Sequence, residues 1–308
     1  MYSLGIDFGG TSVKPGVTRG GAIVEYGNLI DTRKFHTSAE ITQAMLAEIA
    51  RLREKYPNIA AVGIGLPGLV DNVRGFVREL TNVRDWKNVP LREIVTGATG
   101  LPTAIENDAK AMAYAEFKFG AARGFNHVVC VTLGTGVGGA LILNGQLHRG
   151  AANSAGEIGQ THCTLDHPPA HYGNTGALEK LVGNQEITQR AIAAYSGGPF
   201  PGAEPVSPAA LAVWANAGDR IAQQLWDQIG TEIGIVFSDI VWLLNPDAFV
   251  IGGGVAKAGD LVFNPIRKAI NSRTMKDLHE SLKIIPAALG NDAGIIGSAA
   301  LGLEVAGK

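Results

Sequence analysis

Cysteine is nearly absent from this chain of 308 residues: Cys130 and Cys163 are the only two, and they lie far apart in sequence. That pattern excludes a disulfide framework and makes a reducing compartment the default. Charge is sparse as well, at 18% of residues, with a formal net charge of −2 and no run of lysine or arginine. Bulk electrostatics therefore point to neither nucleic acid nor an anionic membrane as partner. Long apolar runs are missing too. The stretch Ile233 to Leu244 is broken by Ser238 and Asp239 and is too short to span a bilayer. No basic segment with a long apolar core precedes the strand pattern that begins at about Leu4, so no signal peptide is read and a cytoplasmic location is expected.

Glycine is abundant, with 41 residues, many in tight clusters. Such clusters mark loops where backbone approaches a ligand closely or takes positive φ. An apolar content of 46% fits a globular protein, and the length suits two domains with separate cores.

The opening reads strand, glycine turn, strand, turn, strand over Leu4–Phe8, Val13–Thr18 and Ala22–Tyr26. Ser38 is read as the cap of a helix whose apolar face is Ile41, Met45, Ile49 and Leu52. A buried strand, Ala61–Leu66, follows, and Thr103–Glu106 runs into a helix carrying Ala109, Met112, Ala113, Glu116 and Phe117. The pattern restarts near Gly120: Val128–Leu133, a glycine-rich turn, then Gly139–Leu143. A long helix from about Asp219 to Leu244 carries Ile221, Leu225, Ile229, Ile233, Phe237 and Ile240 on one face, stopped by Asn245-Pro246. The strand Ala248–Ile251 leads into Gly252-Gly253-Gly254, and a helix from about Asp292 closes the chain. Strands alternating with helices indicate an α/β architecture, and two halves with like openings hint at an internal duplication.

Four stretches carry chemistry. In Gly5-Ile-Asp-Phe-Gly-Gly-Thr-Ser-Val-Lys14 an acidic residue ends a strand and a glycine turn follows, whose amides can face a phosphate while Asp7 helps hold Mg²⁺, directly or through water. The plain alternative is a glycine hairpin without ligand. Thr132-Leu-Gly-Thr-Gly-Val-Gly-Gly139 lies between two strands and lacks a P-loop lysine, so it is neither a dinucleotide fingerprint nor a P-loop; it fits a second phosphate-cradling hairpin. Glu106-Asn107-Asp108 sits at a strand-to-helix junction, where Asp108 can take the proton of an attacking hydroxyl or simply cap the helix. Gly156-Glu-Ile-Gly159, with Glu179 downstream, offers paired carboxylates suited to vicinal hydroxyls.

Together, and in this order, these stretches resemble the ROK (repressors, ORFs and kinases) family of sugar kinases. Gly63–Gly68, Asn82 with Trp86, and Asn245–Gly254 extend the similarity to nearly the whole chain. The resemblance implies an α/β fold of two ribonuclease H-like, actin/hexokinase-type domains flanking a cleft. They would be a smaller N-terminal domain of 1–119 joined by the C-terminal helix (about 293–308), and a larger one of 120–292. It implies glucokinase-like transfer of a phosphoryl group from Mg-ATP to a hexose, with Asp108 as general base. Gly68, Asn82, Asn107, Gly138, Glu157, Gln160 and Glu179 would line the sugar site. Asp7, Gly9, Gly10, Thr11, Lys14, Gly134, Thr135, Gly136, Gly252, Gly253 and Gly254 would serve the nucleotide. A homodimer is implied in the same way.

One departure is plain. Family members carry a histidine after Glu-Ile-Gly and then cysteines that bind structural zinc. Here Gln160, Ala170, Tyr172 and Ala177 stand at those positions, so zinc is expected to be absent and the choice of hexose is open. His162, Cys163, His167 and His171 form an alternative donor set of unfamiliar spacing. A fructose, mannose, allose or N-acetylated aminosugar kinase, a polyphosphate donor, a non-catalytic sugar binder and a sugar-responsive regulator remain as alternatives. The regulator would need a helix-turn-helix ahead of Leu4.

Overall fold

The structure, a computed structural model, describes residues 1–80, 83, 85–164, 169–170 and 173–307. Contacts divide it into two compact units: Met1–Gly124 with Leu147–Ala155 and Ala288–Lys308, and Phe125–Gln146 with Gly156–Ala287. This division differs from the boundaries read in the sequence. Residues 120–124, 147–155 and 288–292 side with the first unit, and the units are equal in length rather than smaller and larger. The reason is a set of long-range polar contacts. The buried Glu116 carboxylate accepts the N–H groups of Ala121, Ala288 and Leu289 at 2.8, 3.1 and 2.8 Å, while Arg149 Nε bonds Glu106 at 2.6 Å.

In the first unit a six-stranded sheet runs in the order Ala22–Tyr26, Ser12–Arg19, Tyr2–Phe8, Ile59–Leu66, Thr103–Asn107, with the short strand Ile30–Asp31 beside Ser12–Arg19. The first three strands are antiparallel and the last three mutually parallel. Tyr2–Phe8 and Ile59–Leu66 are nearly continuous buried runs, as strands covered on both faces must be.

One layer is the helix Ser38–Lys55, which buries Ile41, Met45, Ile49 and Leu52. Each of these contributes about 1.5–3 kcal/mol by leaving water. Its cap is Thr37 rather than Ser38. Thr37 accepts from Glu40 N, and Glu40 Oε2 accepts from Thr37 N at 3.1 Å, a reciprocal box that Ser38, one residue further in, has no glutamate to complete.

The other layer is the C-terminal helix Ala293–Ala306, which lies directly on sheet backbone. A Cβ at Gly5 would stand 1.9 Å from the Ile295 carbonyl oxygen and one at Gly63 1.7 Å from that of Ser298, while against the neighbouring helix Asp108–Phe119 one at Gly297 would stand 1.8 Å from the Ala111 carbonyl oxygen. Only hydrogen fits at these points, so the close approach depends on glycine.

In the second unit Val137–Leu143, Val128–Leu133, Ala248–Gly252 and Lys283–Pro286 lie in that order within a five-stranded sheet, antiparallel first and then parallel. The core of the first sheet has the same plan, so the duplication is real at the level of topology. Helix Arg220–Leu244 covers the second sheet; Asp219 caps it and Asn245 ends it in the left-handed region at φ 43°. Phe237 stacks on Phe249 at 4.3 Å. Ile221, read as part of the buried stripe, is 37% exposed, because the first turn buries the neighbouring Ala222 instead and Ile221 lies at the flank of that face.

Candidate active site

In open α/β sheets, ligands gather beyond the carboxyl ends of parallel strands. In the first unit those ends are Phe8, Leu66 and Asn107. They bring together Asp7 with the turn Gly9–Thr11, the turn at Gly68, and the junction Asn107-Asp108.

The Gly9–Thr11 turn is held by two of its carbonyls and by the N–H of Gly9. Thr32 N donates to Thr11 O at 3.1 Å, Thr32 Oγ1 to Gly10 O at 3.0 Å, and Gly9 N to Ser12 O at 2.8 Å. The N–H groups of Gly10 and Thr11 have no acceptor among the described residues. An anion is the natural partner for such a pair. Asp7 is 6% exposed, with Lys14 Nζ 3.4 Å away across the strand pair. Burial raises the Asp7 carboxyl above its ordinary value, and Lys14 opposes that only in part. A carboxylate that water solvates poorly suits a divalent cation, so the residues present fit Mg²⁺ here. Gly294 of the C-terminal helix makes room for it, since a Cβ there would lie 2.7 Å from Asp7 Cγ. Trp86 is buried edge-on to Phe8 at 5.1 Å, a core role.

At the third strand end the helix Asp108–Phe119 begins. Asn107 is its cap: Oδ1 accepts from Lys110 N at 3.2 Å, and Nδ2 donates to Gly68 O at 3.3 Å. Asp108 is therefore not the cap. It lies one residue inside, half-buried, with Oδ1 accepting from Ala109 N at 2.8 Å. Gly68 takes φ +94°, open to glycine, and its carbonyl joins the turn to the junction. Asn82 lies outside the described residues. Glu106, the one acidic side chain in its strand, is 2% exposed and binds Arg149 Nε and Asn72 Nδ2. Arg149 and Asn72 drew no attention in the sequence, although an isolated glutamate in a buried strand is itself a sign that a partner exists.

In the second unit the strand ends Leu133 and Gly252 lie side by side, with Thr132 in register with Gly252. The Gly134–Gly136 turn and Gly252–Gly254 thus share one sheet edge. Gly253 takes φ +90°, and a Cβ there would meet the Leu133 carbonyl at 2.1 Å. Thr135 lies in the turn, and Gly138 pairs with Thr132 on the strand leaving it. Glu179 reaches the same turn, its Oε2 accepting from Val137 N at 3.0 Å. Glu157 is exposed at the head of the short turn Ile158–Gln160. Gln160 receives Asn174 Nδ2 on its backbone carbonyl at 2.8 Å, while its own Oε1 is buried without a partner among the described residues.

The family's zinc set does not fit. Ala170 and Ala177 are buried and offer no ligand atom. In the alternative set His167 and His171, like Tyr172, lie outside the described residues, and Cys163 Sγ donates to Glu232 O at 3.5 Å. Burial pushes its thiol up to about 11. Among the described residues no group of three or more potential ligands gathers.

Glucokinase from Streptomyces coelicolor is 34% identical over 325 residues, with 98% of each chain covered. Glucokinase from Thermotoga maritima is 30% identical, covering 97% of this chain and 96% of that one. The crystal structure of a ROK family glucokinase from Streptomyces griseus, in complex with glucose and AMPPNP, matches with a TM-score of 0.82 at 31% identity. It covers 99% of this chain and 100% of the other. Two like sheets, each ending in a glycine turn, define the class: this is a sugar kinase with the actin/hexokinase-type fold. More particularly, the chain belongs to the ROK family, whose profile matches residues 3–305.

Proposed function

We propose that this kinase transfers the γ-phosphoryl group of ATP to a hydroxyl of a hexose, with glucose the first candidate and Asp108 the general base. One observation carries the reading: Asp108 stands at the same sheet end as Asp7 and the turn whose two amides have no described acceptor. The glucose and AMPPNP of the Streptomyces griseus complex support the choice of substrates.

In this mechanism Asp108 takes the proton of the attacking hydroxyl as its oxygen bonds to the γ-phosphorus, while the bond from that phosphorus to the β–γ bridging oxygen breaks and ADP leaves. Asn107, fixed at both ends of its amide, holds the junction that aims Asp108. The amides of Gly10 and Thr11, together with Lys14, bear the charge of the phosphoryl oxygens. Bound at Asp7, Mg²⁺ would supply further neutralisation of phosphate charge. Glu157, Gln160 and Glu179 serve the sugar hydroxyls. Gln160 is the neutral residue among them, so its contribution to sugar binding does not titrate.

A cytoplasmic homodimer that needs no zinc completes the proposal. Among the described residues no helix is long and apolar enough to cross a membrane.

The test is ADP release from purified protein with Mg-ATP and a panel of hexoses, with Asp108→Asn as control. Release that depends on one sugar and falls about 10²–10⁴-fold in the variant supports the reading. Silence with every hexose, and again with polyphosphate as donor, would sink it in favour of a sugar binder.

A further inference from the structure

The Gly134–Gly136 turn does not hold itself. One internal bond closes it, Gly134 N to Gly136 O at 2.9 Å. Two more tie it to the segment 179–184, which follows 42 to 50 residues later. Asn184 N, at the start of helix Asn184–Ala194, donates to Gly134 O at 2.8 Å. Val137 N, just past the turn, donates to Glu179 Oε2 at 3.0 Å. The same oxygen lies against the α-carbon of Gly136, where a Cβ would come within 2.3 Å of it. No described residue donates to the other oxygen, Oε1.

From this arrangement we infer that Glu179 is a positioning residue for the phosphate turn as well as a sugar contact. One carboxylate oxygen clamps the turn and the other takes a substrate hydroxyl, so sugar and nucleotide strengthen each other's binding. The inference deepens the kinase reading above and rests on it for the identity of the two ligands. The physical basis is simple. A carboxylate with both oxygens engaged has lost its rotamer freedom. Whichever ligand arrives first removes freedom that the second need not remove again. Linkage then makes the benefit mutual.

The glycine at 136 supplies an independent handle. Its φ is not in the left-handed region, so alanine fits the backbone, and the atom its methyl meets is the end of a flexible side chain. Gly136→Ala should therefore displace the Glu179 carboxylate while leaving the fold intact.

The experiment is calorimetric binding of Mg-ADP to the full-length protein, first without sugar. Glu179→Ala and Gly136→Ala should each weaken Mg-ADP about fivefold, the loss of one charged hydrogen bond only partly recovered by water. Glu179→Gln keeps an acceptor for Val137 N and should stay within about twofold of wild type. Unchanged affinity in both Glu179→Ala and Gly136→Ala would overturn the clamp, since a residue that only touches sugar leaves nucleotide binding alone. Saturating glucose should then tighten Mg-ADP severalfold in wild type and not in Glu179→Ala. Tightening that persisted in the variant, or was absent from wild type, would overturn the link. The first measurement needs no sugar, so it stands even if the hexose panel is silent and the kinase reading fails.

Discussion

Gly63→Ala is the sharpest test of how the first unit is built. The added methyl would lie 1.7 Å from the Ser298 carbonyl oxygen and 2.4 Å from its carbon, whereas real Cβ contacts essentially never fall under 3.0 Å. Both partners are backbone, so no side chain can swing away. The C-terminal helix must retreat by about 1.3 Å, and that lifts Ile295, Ile296 and Leu301 off the sheet. Overpacking costs about 1–3 kcal/mol, and a backbone-to-backbone clash belongs at the top of that range, near 3 kcal/mol. Gly97→Ala is the internal control in the same unit. It lies in helix Leu91–Thr99 with nothing within 4 Å of its added methyl, so it should stabilise by about 0.5–1 kcal/mol. Urea unfolding followed by circular dichroism reads both from the midpoint at constant m. If Gly63→Ala costs less than about 0.5 kcal/mol, or the two variants shift in the same direction, the helix-on-backbone packing is misjudged.

Three further outcomes follow from the same geometry. Asp7→Asn should stabilise the ligand-free protein: a carboxyl whose folded pKa is raised contributes stability present below about pH 4 and lost as pH rises, so the variant's advantage in Tm should be larger near pH 7.5 than near pH 4. An advantage that is largest in acid would contradict the burial argument. Arg149→Met leaves Glu106 buried without its cation, held only by Asn72 Nδ2 and Asn107 N; with Arg149 itself partly exposed, the loss should be about 2–3 kcal/mol by urea unfolding, and adding Glu106→Gln should restore part of it. A single variant as stable as wild type would remove the pair from the account. Exhaustive treatment with a zinc-selective chelator should leave both activity with Mg-ATP and thermal stability unchanged, whereas a drop in Tm of several degrees would mean that zinc is held after all.

Much of this was open to a reading of residues in order. The strands and helices announce themselves by period, and the two glycine turns by their place between strands. Asp108 stands out as an acidic residue at a strand end. What escaped depends on partners distant in sequence. Glu116 looks like one more helix residue until the fold brings Ala288 and Leu289 to it, and those bonds move the unit boundary. Glu106 and Arg149 are 43 residues apart. The Glu179 clamp on Val137 spans a similar gap. The cap of the first long helix is a different kind of miss, since Thr37 and Ser38 are both good caps and only the spacing to Glu40 separates them. The exposure of Ile221 beside the fully buried Ala222 shows that the buried face of a helix can lie one residue round from the stripe read along it.

The most direct measurement of the central claim is mass-spectrometric detection of the phosphorylated sugar itself, formed from glucose and Mg-ATP by wild type and by Asp108→Asn at matched folded concentration. The account predicts stoichiometric hexose phosphate with wild type and a rate lower by about 10²–10⁴-fold in the variant. Equal product from both would show that Asp108 is not the base, and no phosphorylated product from any hexose with wild type would contradict the proposed phosphoryl transfer.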